Sequence, residues 1–149
     1  MSDFLRAMSI AAAGLSAQRT RMEVIASNLA NAETTRTPAG GPYVRQRVVL
    51  QADPAPPTFE RLLEERAAGE AAEGPAVRVA GVRPDPRPPR LVYDPGHPDA
   101  NAEGFVSLPN VNVLEEMTDM MTAMRIYEAN VKAVQATKHM AHSALEIGK

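Results

Sequence analysis

Apolar residues recur at alternating spacings of four and three over both ends of the chain. In the first stretch the series is Phe4, Met8, Ala11, Leu15, Gln18, Met22, Ile25 and Leu29, apolar everywhere except Gln18. In the last stretch it is Val113, Met117, Met120, Met124, Tyr127, Val131, Val134, Lys138, Ala141 and Leu145, interrupted only by Lys138. Such spacing keeps one stripe in line along a helix and is the pattern of a coiled-coil seam. It predicts two helices of about 26 and about 35 residues, ~39 and ~52 Å long. A second apolar row accompanies the first: Ile10, Ala17 and Val24, then Ile126, Ala133, Met140 and Ile147. A helix with one apolar face packs on one layer, whereas a helix with two has neighbours on both sides.

Proline marks the boundaries. All 13 prolines fall between Pro38 and Pro109, and a proline costs a helix interior about 3 kcal/mol. The chain therefore divides into an N-terminal helix (residues 1–31), an insert (32–112) and a C-terminal helix (113–149). The expected fold class is α+β. Two long terminal helices form an antiparallel coiled-coil-like hairpin, because the small Pro-rich β insert between them turns the chain back. Asn31 is placed to end the first helix in a left-handed turn, and Asn110 or Asn112 to cap the second.

Inside the insert, Tyr43 to Leu50 alternates and is rich in β-branched residues, as a half-buried strand requires. Ala76 to Val82 and Arg90 to Tyr93 are further strand candidates. Residues 60–74, rich in Ala, Glu and Arg, read as a short helix or a flexible loop. The proline-dense Arg83 to Pro89 must be extended and serves as linker or edge. Asp94 to Asp99, with two prolines and a glycine, is a tight turn by composition.

Composition narrows the function. A formal net charge of −2 offers no basic field for nucleic acid. Aromatics are 4% and Trp is absent, so one large core lacks its usual filler. The insert is too small and polar to cover both rows of both helices, which favours neighbours from other chains. With no Cys there is no disulfide, thiolate metal site or Cys nucleophile. Ala7 to Ala17 imitates a signal-peptide core, but Asp3 offsets Arg6 and the helical spacing continues past Ala17, so a cleaved signal is not expected. Nothing approaches the ~20 apolar residues of a membrane span.

Each candidate catalytic or metal-binding pattern has a plainer explanation. Asp94, His97 and Asp99 lie within one turn, whose prolines hold side chains outward with no further ligand nearby, so a structural turn is the better account. His139 and His142 are a possible metal pair, but two ligands without a third make no site. Glu115, Glu116 and Asp119 at the start of the last helix suit the helix macrodipole. No phosphate loop or nucleophile elbow is present. Helical spacing of the methionines points to packing. No cofactor, metal or catalytic residue is expected.

Several stretches together resemble the proximal rod proteins of the bacterial flagellar basal body. Residues 26–37, Ala-Ser-Asn-Leu-Ala-Asn-Ala-Glu-Thr-Thr-Arg-Thr, look like the Asn-rich motif near the start of rod and hook proteins. Gly40-Gly41-Pro42-Tyr43 follows, then Val92 to Ala100, Gly104 to Val106 and Pro109 to Asn112. The last helix adds Glu116-Met117, Arg125 to Val131 and Ala144 to Lys149; Phe105 stands where Tyr is usual.

The resemblance implies a subunit exported unprocessed by the flagellar type III apparatus and stacked helically into a hollow rod. That rod crosses the periplasm, carries torque and leaves a channel. Implied partners are other copies, other rod proteins, the export apparatus and surrounding ring components, with no nucleic acid and no direct membrane span. Terminal helices would pack on neighbours while the β insert faces outward. The packing residues expected are Met8, Leu15, Met22, Ile25, Leu29, Met117, Met124, Ile126, Val131, Met140 and Leu145. Asn28, Asn31, Thr34 and Thr35 would fix the helix end and turn, and Tyr127 and Asn130 would make polar-edged contacts. The contrasting readings are a soluble coiled-coil adaptor dimerising through one seam and a small hydrolase or metal enzyme using the Asp94–Asp99 turn.

Overall fold

A computed structural model describes residues 2–52 and 76–147. The 60–74 stretch lies outside the described residues, as do the side chains of Ser2, Asp3, Leu5, Arg6 and Ile147. The order is helix α1 (Ser2–Ala30), strands β1 (Gln46–Ala52), β2 (Val77–Pro84), β3 (Arg90–Tyr93) and β4 (Phe105–Leu108), then helix α2 (Val113–Ile147). The fold class is α+β, with two helices and two small sheets. β1 pairs with β2. β3 pairs antiparallel with β4, in the register Arg90↔Leu108 to Tyr93↔Phe105.

The first strand begins later than its alternation suggests, at Gln46 instead of Tyr43, because Tyr43 to Gln46 is drawn to the end of α1 by contacts described below. β4 has no counterpart among the expected strands. Its four residues are too short for periodicity to register, and it exists because β3 supplies a partner. Gly104, just before it, has φ +82°, and a Cβ there would lie 2.9 Å from Tyr93 Cε2. Tyr93 and Phe105 then meet edge to face with centroids 5.3 Å apart.

The helix ends follow different chemistry. Asn112 caps α2, its Oδ1 accepting from Leu114 N at 3.1 Å and Glu115 N at 3.5 Å. Asn31 does not end α1 in a left-handed turn, since no non-glycine described residue has positive φ. Its amide instead back-bonds: Asn31 N and Nδ2 both donate to Ser27 O, at 3.1 and 2.9 Å. Thr34 Oγ1 donates to Asn31 Oδ1 at 3.2 Å, so the chain leaves the helix without a reversal of φ.

Two compact units are present, one of Met1–Arg19, Leu50–Ala80 and Met124–Lys149, the other of Thr20–Val49 and Gly81–Ala123. Neither has a large apolar core among the described residues. The buried hydrophobics are Ala11, Ala17, Ile25, Ala32, Val106, Val111 and Ala123, and the largest fully buried side chains are Glu116, Asn28 and Pro109.

On α1 the expected seam is hidden apart from Met8, with Ala11, Gln18 and Ile25 buried and Phe4, Leu15, Met22 and Leu29 half-buried, whereas on α2 the hidden face departs from the seam. Gly14, Ala17, Arg21 and Asn28 are hidden beside that seam on α1, and on α2 the hidden row is Glu116, Met120, Ala123, Tyr127, Asn130, Val134, Thr137 and Ala141, each buried or half-buried. Met117 and Met124, at 52% and 48% exposure, stand one residue along from Glu116 and Ala123. One residue is ~100° of helix rotation, so the seam drawn through Met117 and Met124 is turned outward. Small and polar residues take the inner face because they allow close approach and internal hydrogen bonds. Gly14 illustrates this: a Cβ there would lie 2.8 Å from Asn130 Nδ2.

Candidate functional site

The densest chemistry lies in the Thr20–Val49/Gly81–Ala123 unit. Asn28, near the end of α1 and 1% exposed, uses its whole hydrogen-bonding capacity. Its Nδ2 donates to Gln46 O at 2.9 Å and to Glu116 Oε2 at 3.0 Å. Its Oδ1 accepts from Gln46 N at 2.9 Å and from the Tyr43 hydroxyl at 3.0 Å. One buried amide therefore joins the end of α1, the start of β1 and the first turn of α2. A buried polar group is tolerated only when paired in this way.

Glu116 is also 1% exposed and is balanced by Arg45. Arg45 Nε donates to Glu116 Oε1 at 2.7 Å, and Nη2 contacts the same oxygen. The third nitrogen, Nη1, donates to Asp85 Oδ2 at 3.0 Å, while Asp85 N donates to Arg45 O at 2.7 Å. Arg87 closes the chain, its Nη2 donating to Asp85 Oδ2 at 2.8 Å. Two cations and two carboxylates thus alternate along one path, and the cluster is neutral.

The charges respond to this setting. Hydrogen bonds from the Arg87 side chain hold the Asp85 carboxyl well below the usual carboxylate range; the Arg87 backbone N–H and Arg45 assist, and burial opposes them. Burial pulls the Arg45 guanidinium down, but Glu116 and Asp85 outweigh it and raise its pKa. Each charged group of the chain is engaged by an oppositely charged neighbour, so the arrangement is one of fastening.

A second fastening binds the α1 exit to the Asp94–Asp99 turn. Thr35 Oγ1 donates to Asp99 Oδ2 at 2.7 Å. Within the turn, Asp99 N donates to His97 Nδ1 at 3.1 Å and Gly96 N to Asp94 Oδ1 at 3.1 Å. These acidic and His side chains are occupied in holding the turn. Among the described residues, no group of three or more His, Cys, Asp or Glu is arranged to hold a metal. His142 Nδ1 lies 3.2 Å from Glu146 Oε1 on the surface of α2. No described helix is long and apolar enough to cross a membrane.

The expected packing residues are distributed unevenly. Ile25 is buried, while Leu15, Met22, Leu29, Tyr127, Asn130 and Val131 are half-buried. Met8, Met117, Met124, Ile126, Met140 and Leu145 are exposed. Periodicity and composition do not single out Arg45, Asp85 or the burial of Glu116. Arg45 sits in an alternating stretch and reads as a strand's outward residue, and Glu116 is one of two first-turn acids. A signal existed for Glu116, because it continues the row Ala123, Met120, Glu116 in heptad spacing, as Asn28 continues Gly14, Gln18, Arg21, Ile25.

Similarity to known proteins agrees with an assembly role. The profile described as "Flagella basal body rod protein" matches residues 3–36, and "Flagellar basal body rod FlgEFG protein C-terminal" matches 102–147. These spans contain α1 from its second residue and all of α2, together with Asn28, Asn31 and Glu116. The flagellar basal-body rod protein FlgC of Bacillus subtilis (strain 168) is 45% identical over 146 residues, covering 95% of this chain and 96% of that protein. FlgC of Salmonella typhimurium is 41% identical over 97% of this chain and 98% of its own length. FlgC of Aquifex aeolicus is 38% identical over the full length of both. With matches of this extent at both helices and through the insert, the chain belongs to the FlgC family of flagellar basal-body rod proteins.

Proposed function

We infer that this chain is a structural subunit of the bacterial flagellar basal-body rod, working through its surfaces and catalysing no reaction. Family membership supports the rod assignment. The observation that carries the surface reading is the row Leu114, Met117, Met121 and Met124 along α2, between 48% and 73% exposed. Four large apolar side chains in heptad spacing on one open face form a helix-packing surface awaiting a partner.

In this reading α1 and α2 pair as an antiparallel coiled-coil-like hairpin. Support comes from the order of contacts: Gly14 faces Asn130, Arg21 Nη2 donates to Asp119 at 3.2 Å, and Asn28 meets Glu116. Partner numbers fall along α2 as they rise along α1. The insert, 32–112, faces neighbouring rod proteins. Copies of the chain and other rod proteins polymerise into a hollow shaft that carries torque across the periplasm. The flagellar export apparatus delivers the subunit without a cleaved signal, and basal-body ring components surround it. No cofactor or metal takes part.

The test is complementation of a bacterium lacking its own copy, with basal bodies imaged by electron microscopy. The wild-type gene should restore rods, and Ile126→Asp combined with Met140→Asp should abolish them while the purified protein keeps its helical circular dichroism. Intact rods and motility with that pair would favour a soluble adaptor that uses one seam.

A further inference from the structure

We propose that the ion chain Glu116–Arg45–Asp85–Arg87 is the rotational joint between the insert and α2, with Arg45 as its positioning residue. This rests on the rod reading above and adds what the buried charges do within it. Arg45 is separated by 40 residues from Asp85 and by 71 from Glu116, so its guanidinium ties together three segments remote in sequence. Its side chain is 14% exposed, that of Asp85 3% and that of Glu116 1%.

The geometry explains why charge is used where leucines would pack. An apolar contact is non-directional, so surfaces can slide past one another with little change in energy. A guanidinium is a rigid plane whose donors point in fixed directions, two here toward Glu116 and one toward Asp85. Turning the start of β1 about α2 must misalign at least one of these bonds, and water has little access to replace it. Asn28 holds the same backbone, at Gln46, from the α1 side. Buried ion groups give little net stability over well-packed apolar ones. What they supply is a fixed angle, the property that a torque-bearing subunit needs where its insert meets its helices.

That distinction is testable, because stability and stiffness separate. Arg45→Met alone leaves Glu116 buried and should melt far below the parent. Arg45→Met with Glu116→Met removes both charges and should recover most of that loss, falling short of the parent by the one Asn28 donor that Glu116 accepted. In a bacterium lacking its own copy, the double variant should form rods visible by electron microscopy and swim in dilute medium. It should stop swimming in viscous medium where the parent continues. Arg45→Lys, which keeps the charge but not the planar fork, should show the same loss under load and faster hydrogen exchange at the Gln46 and Asp85 amides. If the double variant does not fold, the lysine variant decides the matter alone. Parental swimming at every viscosity by the folded double variant, or by the lysine variant, would overturn the joint. Failure of the wild-type gene to restore rods would instead overturn the rod reading on which it rests.

Discussion

Asn28 and Gln18 are both buried amides on α1, 1% and 7% exposed, and their surroundings differ sharply. Asn28 meets two backbone groups, a hydroxyl and a carboxylate. Gln18 Oε1 is buried with no hydrogen-bond partner. The first amide lies in the unit that contains the insert's fastenings, the second in the unit holding Gly14 and Asn130. A buried polar side chain on this helix is thus either a fastener or a penalty, depending on whether another segment supplies partners. The satisfied amide defines one geometry. The unsatisfied one carries a desolvation cost that no hydrogen bond offsets.

Breaking the comparison at its strong end should have the largest effect. Asn28→Ala would strand the Gln46 backbone groups and one Glu116 oxygen, costing about 3 kcal/mol or more. Chemical denaturation of the purified protein measures it. At the weak end the sign reverses: Gln18→Leu should raise stability by about 1–2 kcal/mol, since it removes a buried acceptor that nothing pays to keep. A loss of stability would show that the Gln18 side chain has a role other than its unmet oxygen. Asn112→Ala should cost about 1 kcal/mol through loss of the α2 cap, read in the same denaturation experiment.

Acid offers another way to loosen the strong end. The Asp85 pKa is depressed in the folded state, so below its unfolded value, near 3.8, the unfolded chain binds more protons than the folded one. The contribution from Asp85 is therefore complete above that range and declines as pH falls through it toward the depressed folded value. Melting temperature followed from pH 7 to pH 3 should be steeper at the acid end in the parent than in Asp85→Asn. The smallest stability effect belongs to the open face. Met117→Asp should change monomer stability by no more than about 0.5 kcal/mol, yet impair rod formation, as sedimentation and electron microscopy would reveal.

Much of this was legible from periodicity and proline alone. Two helices spaced by heptads, a proline-bearing middle and the strand at Arg90 to Tyr93 follow from local rules of geometry and propensity. So did the absence of a basic field and the family motifs around Asn28. A cap at Asn110 or Asn112 was visible too, because capping is a one-turn interaction, and the structure selects Asn112.

What the tertiary structure decided was which helical face turns inward. Hydrophobicity favours the Met117 and Met124 row, but Glu116 and Ala123 are hidden instead. The reason is that Glu116 finds Arg45 and Asn28, residues 71 and 88 positions away, and partners that remote leave no trace in spacing. The same holds for β4, which needs β3, and for the late start of β1, where Asn28 claims Gln46. Sequence by itself determined the helices and the strands other than β4, and the class of work they do. Only the folded chain determined which polar groups would meet, because burying a charge or an amide is favourable solely where its partner already stands.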